Sequence, residues 1–170
     1  MSDEENDMVE MRVEGLVFDP LTNTPIIILK DLNGERSLPI WVGYPEATAI
    51  ALEMENVTTP RPMTHDLIKN IIDGLDVNIN HILVNDLKNN TFYAVISVEN
   101  SNGSSINIDS RPSDAIAVAL RLKTSIFVLQ KVLDAAKAID MNVPNQEVDE
   151  ETFKKWIDDV KPSDFGKLDQ

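Results

Sequence analysis

The stretch Asn102-Gly103-Ser104-Ser105-Ile106-Asn107-Ile108-Asp109-Ser110-Arg111-Pro112-Ser113-Asp114-Ala115-Ile116 decides the class of this fold. Asn102-Gly103 is a turn signal, and Ile106-Asn107-Ile108 alternates as a strand does. Ser113 to Leu122 then reads as a helix, and Ile126-Phe127-Val128-Leu129 as a buried strand. A helix set between strands within thirty residues predicts an α+β domain. The same grammar extends outward. Met8 to Phe18 alternates, Ile26–Leu29 is a short apolar strand, and Asn33-Gly34 turns into Leu38–Val42. Pro39 marks that returning strand as an edge or a bulge. Helices follow over Glu46–Glu55 and Thr64–Leu75, the second with an apolar stripe of Leu67, Ile68, Ile71, Ile72 and Leu75. Strands over Val77–Asp86 and Thr91–Glu99 flank the turn Lys88-Asn89-Asn90, and Gln130–Ile139 reads as helix. The expected architecture is an antiparallel or mixed sheet with helices inserted between strands, plus a C-terminal helical appendage.

The chain has 170 residues, 42% of them apolar, which suits one domain with tails. Three parts are expected: an acidic tail over 1–7, a domain over 8–139, and an acidic linker with a last helix over 140–170. In that appendage Asp149 is the expected cap, Phe153, Trp156, Ile157 and Val160 the apolar face, and Pro162 the stop. Cysteine is absent, which excludes disulfides and thiolate chemistry. No apolar run approaches a membrane span, and the acidic start has no signal-peptide character, so a cytoplasmic location is expected. The formal net charge is −14, and residues 1–10 and 140–170 each contribute −5 of it. The body is then only mildly acidic. A broad basic nucleic-acid face is not expected, whereas a mildly acidic body can still carry a local basic site.

Chemistry concentrates in a motif that occurs twice: Arg61-Pro62-Met63-Thr64-His65-Asp66 and Arg111-Pro112-Ser113-Asp114. Each places an arginine beside a helix start, where free amides and the helix dipole favour an anion such as phosphate. Thr64 and Ser113 are the expected N-caps. Arg61 can hold phosphate oxygens, and His65 can act as acid or base, since an imidazole titrates near pH ~6.5. Asp66, adjacent on the helix, does not face His65. The alternative is that His65 and Asp66 only decorate the first turn. For Arg111 and Asp114 the two readings are a second phosphate contact and a buried ion pair that locks the corner, with Pro112 holding Arg111 extended.

Glu46, Asp66, Asp86, Asp109 and Asp114 are candidate oxygen ligands for magnesium, at no diagnostic spacing. A zinc site is not expected from two histidines and no cysteine. His81 reads as a half-buried sheet residue. Gly-rich phosphate loops, the Gly-x-Ser-x-Gly elbow and a stacked-aromatic RNA-binding strand are all absent. Phe92 and Tyr93 are adjacent on a strand and point to opposite faces.

Five segments in order resemble the bifunctional nuclease domain family. They are Leu38-Pro39-Ile40-Trp41-Val42-Gly43, the Glu46-Ala47…Ala49-Ile50-Ala51 helix, Pro60 to Leu67, Asp86-Leu87 with Thr91-Phe92-Tyr93-Ala94, and Ile108 to Ala117. Departures are small: Lys88-Asn89-Asn90 stands where an Asp-Gly turn is common, and Ser110 where alanine is usual. The resemblance implies a compact α+β domain assembling into dimers or larger homo-oligomers, and a nuclease acting on RNA and DNA. Arg61, His65, Asp66, Arg111 and Asp114 are the candidate catalytic residues. The competing expectation is a non-catalytic oligomeric module that binds a small anion or a protein partner.

Overall fold

A computed structural model describes residues 7–138 and 150–159. Seven strands form one mixed sheet. They are β1 (Met8–Phe18), β2 (Pro25–Asp31), β3 (Ser37–Trp41), β4 (Asn78–Lys88), β5 (Thr91–Glu99), β6 (Ser105–Ser110) and β7 (Ser125–Leu129). The spatial order is β3-β2-β1-β7-β4-β5-β6. Two antiparallel meanders, β1-β2-β3 and β4-β5-β6, are joined by β7, which runs antiparallel to β1 and parallel to β4. The α+β expectation stands, and the sheet is mixed. Pro39 lies on the edge strand β3, where a missing amide hydrogen is tolerated.

Five helices accompany the sheet: α1 (Tyr44–Met54), α2 (Thr64–Gly74), α3 (Pro112–Leu122), α4 (Gln130–Ala138) and α5 (Glu150–Asp159). Each meander is followed directly by a helix, α1 after β3 and α3 after β6. The fold therefore repeats a three-strand-and-helix unit, which is not the repeat that the doubled Arg-Pro motif marks in the sequence. α3 packs between α1 and α2 and lies on β4 and β5. Close approach is possible because Ala47, Ala51, Ala115, Ala117 and Ala119 are buried small residues. Leu16, Ile27, Leu29, Ile50, Ile82, Val84, Ile116 and Val128 fill the common core.

The turns use local chemistry. Asn89 and Asn90 both take positive φ, 49° and 58°, so this Asn-Asn pair serves the two-residue hairpin as Asp-Gly would. Gly103 sits at φ 78°, and Asn100 Oδ1 accepts the amides of Asn102 and Ser104. Phe92 is half-buried and Tyr93 exposed, as alternation requires. His81 is half-buried and meets the Phe127 ring edge-on at 5.5 Å.

Two expectations need correction. Thr64 and Ser113 do not cap their helices. The N-cap positions are Met63 and Arg111, with no side-chain cap bond. At α2 the help comes from inside the helix, where Asp66 Oδ2 accepts the Met63 amide at 2.9 Å. The apolar stripe of α2 is also not core: His65 is the only buried residue of that helix, and Leu67, Ile71 and Leu75 are at least half exposed. α5 places Trp156 edge-on to Phe18, ring centroids 5.6 Å apart, and Ile157 also packs on the core. The expected linker, Asp149, Val160, Pro162 and the Phe153 side chain lie outside the described residues, as do the acidic tail over 1–6 and residues 160–170.

Candidate functional site

The two Arg-Pro motifs meet. His65 Nε2 lies 2.9 Å from Asp114 Oδ1, across 49 positions of sequence. Arg111 Nε donates to the other oxygen of Asp114 at 2.7 Å, and its Nη2 donates to Glu46 Oε1 at 2.7 Å. A chain of contacts thus links the starts of α2, α3 and α1. His65 is 6% exposed, so the ring is held inside the junction.

Asp66 turns the other way. It accepts Arg121 Nε at 2.6 Å on Oδ1 and the Met63 amide on Oδ2. Arg121 also donates to the carbonyls of Ala117 and Ala49, at 3.0 and 3.1 Å. Arg121 is therefore a buried bolt through α1, α2 and α3. Sequence reading passed over it. The available signal was a single cation in the apolar run Ala115 to Leu122, seven residues after Asp114 and so on the same helical face.

A common rule emerges at these helix starts. Glu46, Asp66 and Asp114 each occupy the third position of a helix, and each is bonded by an arginine. An acid there offsets the helix dipole, and the arginine ties that end to a neighbour. Burial pushes the Asp66 carboxyl up, but the hydrogen bonds from Arg121 and the Met63 amide outweigh it and leave the pKa below the ordinary value. Asp114 follows the same balance, with burial opposed by the Arg111 and His65 hydrogen bonds. Hydrogen bonds to Asp114 and Glu46 raise the Arg111 guanidinium further. The Arg111–Asp114 pair does lock the corner, yet it is not buried, because the Arg111 side chain is 66% exposed.

Two open grooves lie near the junction, and His65 lines neither of them. One, of about 260 Å³, is lined by Arg61, Thr58, Asn70, Glu53, Asp66 and Arg121. Arg61 makes no ion pair among the described residues, so its guanidinium is available to an anion. The second, of about 270 Å³, has Trp41, Phe92, Arg111 and Ser113 on its walls. Arg61 and Arg111 thus serve different grooves rather than one shared pocket.

The candidate magnesium ligands do not gather. Asp86 pairs with Lys88, Asp66 with Arg121, and Glu46 and Asp114 with Arg111, while Asp109 is an exposed residue of β6. Among the described residues no three histidine, aspartate or glutamate side chains are placed to hold a metal. No helix there is long and apolar enough to cross a membrane.

Comparison with known proteins agrees with this architecture of motifs. The chain is 39% identical over 165 residues to an uncharacterized protein of Mycobacterium tuberculosis, covering 93% of this chain and 98% of that protein. It is 29% identical over 107 residues to bifunctional nuclease 1 of Arabidopsis thaliana, covering 61% of this chain and 33% of the plant protein. Bifunctional nuclease 2 of Oryza sativa subsp. japonica is 30% identical over 107 residues, with the same coverage. The bifunctional nuclease domain matches residues 27–141, a span that takes in both Arg-Pro motifs, Glu46 and Arg121. The chain therefore belongs to the bifunctional nuclease domain family.

Proposed function

We propose that this protein hydrolyses phosphodiester bonds in RNA and DNA. The observation that carries the reading is the junction of the two motifs, where Asp114 meets His65 at 2.9 Å and the neighbouring Arg61 and Arg111 each line a groove. Membership of the bifunctional nuclease domain family supports this reaction class. Arg61 binds the phosphate and stabilises charge that develops on its oxygens. Asp114 orients the imidazole, as a carboxylate does for a catalytic base. Arg111 holds Asp114 in place, and Asp66 sets the helix start through Met63 and Arg121.

The test is cleavage of end-labelled single-stranded RNA and DNA, with and without magnesium, by wild type and variants purified in parallel. Arg61→Ala and His65→Gln are expected to lose at least about tenfold in rate, the scale of a phosphate contact or an acid–base group. Unchanged cleavage in both variants removes these roles and points to a contaminating enzyme.

A second reading, a non-catalytic oligomeric module, is favoured by α2. Its amphipathic stripe of Leu67, Ile71 and Leu75 is uncovered in the monomer, and its histidine is buried. Light scattering on wild type and Ile71→Lys decides it. An assembled wild type that the variant dissociates supports the module, and a monomeric wild type discards it.

A further inference from the structure

The groove at the start of α3 carries one side chain that nothing in the interlock uses. Ser113 is 7% exposed, lines the groove, and its hydroxyl has no hydrogen-bond partner among the described residues. The hydroxyl still reaches the groove's solvent, so it is free to donate to or accept from a ligand there. Ser113 stands at the second position of an eleven-residue helix, where its own amide and that of Asp114 are among the unpaired donors. Arg111 stands above it. That guanidinium spends Nε and Nη2 on Asp114 and Glu46, which leaves Nη1 uncommitted. Both neighbouring carboxylates are thereby tied to a cation.

The lining also holds two aromatic side chains, Trp41 and Phe92. Trp41 is partly exposed, and its ring is pinned by Nε1 donating to Asp19 Oδ2 at 3.2 Å. Gly43 lines the groove at the start of α1. A cation, a free hydroxyl and helix amides, together with an indole face, match a phosphate joined to an aromatic ring. Stacking on an aromatic side chain tolerates any base. The groove's volume of about 270 Å³ is at the small end for a ligand site.

We infer that this groove binds a single nucleotide, with its phosphate at Ser113 and Arg111 and its base on Trp41. The inference rests on the nuclease reading for its role as a substrate or product subsite, and binding itself requires no cleavage. The experiment is a fluorescence titration with adenosine monophosphate in a Trp156→Phe background, so that Trp41 reports alone. Calorimetry on the unaltered full chain provides a second measurement. A saturable change is expected, with adenosine and inorganic phosphate each binding about tenfold or more weakly, a difference of about 1.4 kcal/mol. Ser113→Ala is expected to weaken binding similarly while its thermal melt is unchanged. Absence of saturation through the millimolar range overturns the proposal. So does phosphate binding as tightly as the nucleotide, or a Ser113→Ala variant that binds normally. Loss of cleavage with binding intact would instead sink the nuclease reading alone.

Discussion

Removing the charge of Asp66 tests the clamp beneath the first motif. Asp66→Asn keeps an oxygen that can accept the Met63 amide, so the helix start survives and the ion pair is isolated. It leaves Arg121, whose side chain is 4% exposed, with only two carbonyl partners. Breaking a buried pair costs about 3–5 kcal/mol, and the remaining carbonyl bonds reduce that to roughly 2–4. Arg121→Met retains apolar packing and strands Asp66, which is 32% exposed and can rehydrate, so about 1–3 kcal/mol is expected. The double variant should recover roughly 1–2 kcal/mol relative to the sum, because neither charge is then orphaned. Urea unfolding reads all three. With m near ~2 kcal/mol/M, the Asn variant moves the midpoint by about 1–2 M. Asp66 and Arg121 do not act as a clamp if Asp66→Asn costs under about 1 kcal/mol and the two changes add within about 0.5.

Other outcomes follow from the same geometry. The Arg36 amide and guanidinium hold Asp31 at a pKa of about 2, below its unfolded value of about 3.9. Its contribution is complete above the unfolded value and is lost as pH falls through about 2. Urea midpoints taken from neutral pH down into this range should drop below about pH 4, and less steeply in Asp31→Asn. An unaltered slope in that variant contradicts the assignment. Thr64→Ala should change stability by less than about 0.5 kcal/mol, against roughly 1 for a true cap, as judged by thermal melting. Trp156→Ala should cost about 1–2 kcal/mol through its contact with Phe18, and a melt identical to wild type would mean that α5 does not dock.

Local signals survived into the structure where the local chain decides the outcome. Asn102-Gly103 turns, Pro39 sits on an edge, and Asn89-Asn90 closes a hairpin, because each is set by φ preference or a missing donor. The place of β7 was not readable. Ile126–Leu129 is apolar on both faces, which marks a central strand without naming its neighbours. The stripe of α2 misled for a related reason: periodicity reports an apolar face and not what covers it. At the site, His65 and Asp114 were both singled out, but their contact spans 49 positions and depends on how α2 packs on α3. Glu46 was read as a possible ligand for a metal, and its actual partner, Arg111, comes from the other meander.

The doubled motif in the sequence and the doubled unit in the fold are different things. The sequence pairs the starts of α2 and α3, through Arg61 and Arg111. The meanders pair the starts of α1 and α3, where Glu46 and Asp114 hold the same third position and share one arginine. Arg111 belongs to both relations, which explains its load: it joins the two repeated units and also meets the carboxylate that holds His65. α2 is the insertion that brings a histidine to this seam. A change at Arg111 therefore loosens Glu46 and Asp114 together, whereas a change at Arg61 touches only its own groove. Arg111→Ala should lower both stability and cleavage, and Arg61→Ala cleavage alone. If Arg61→Ala also unfolds the protein, the division of labour between the two arginines is wrong.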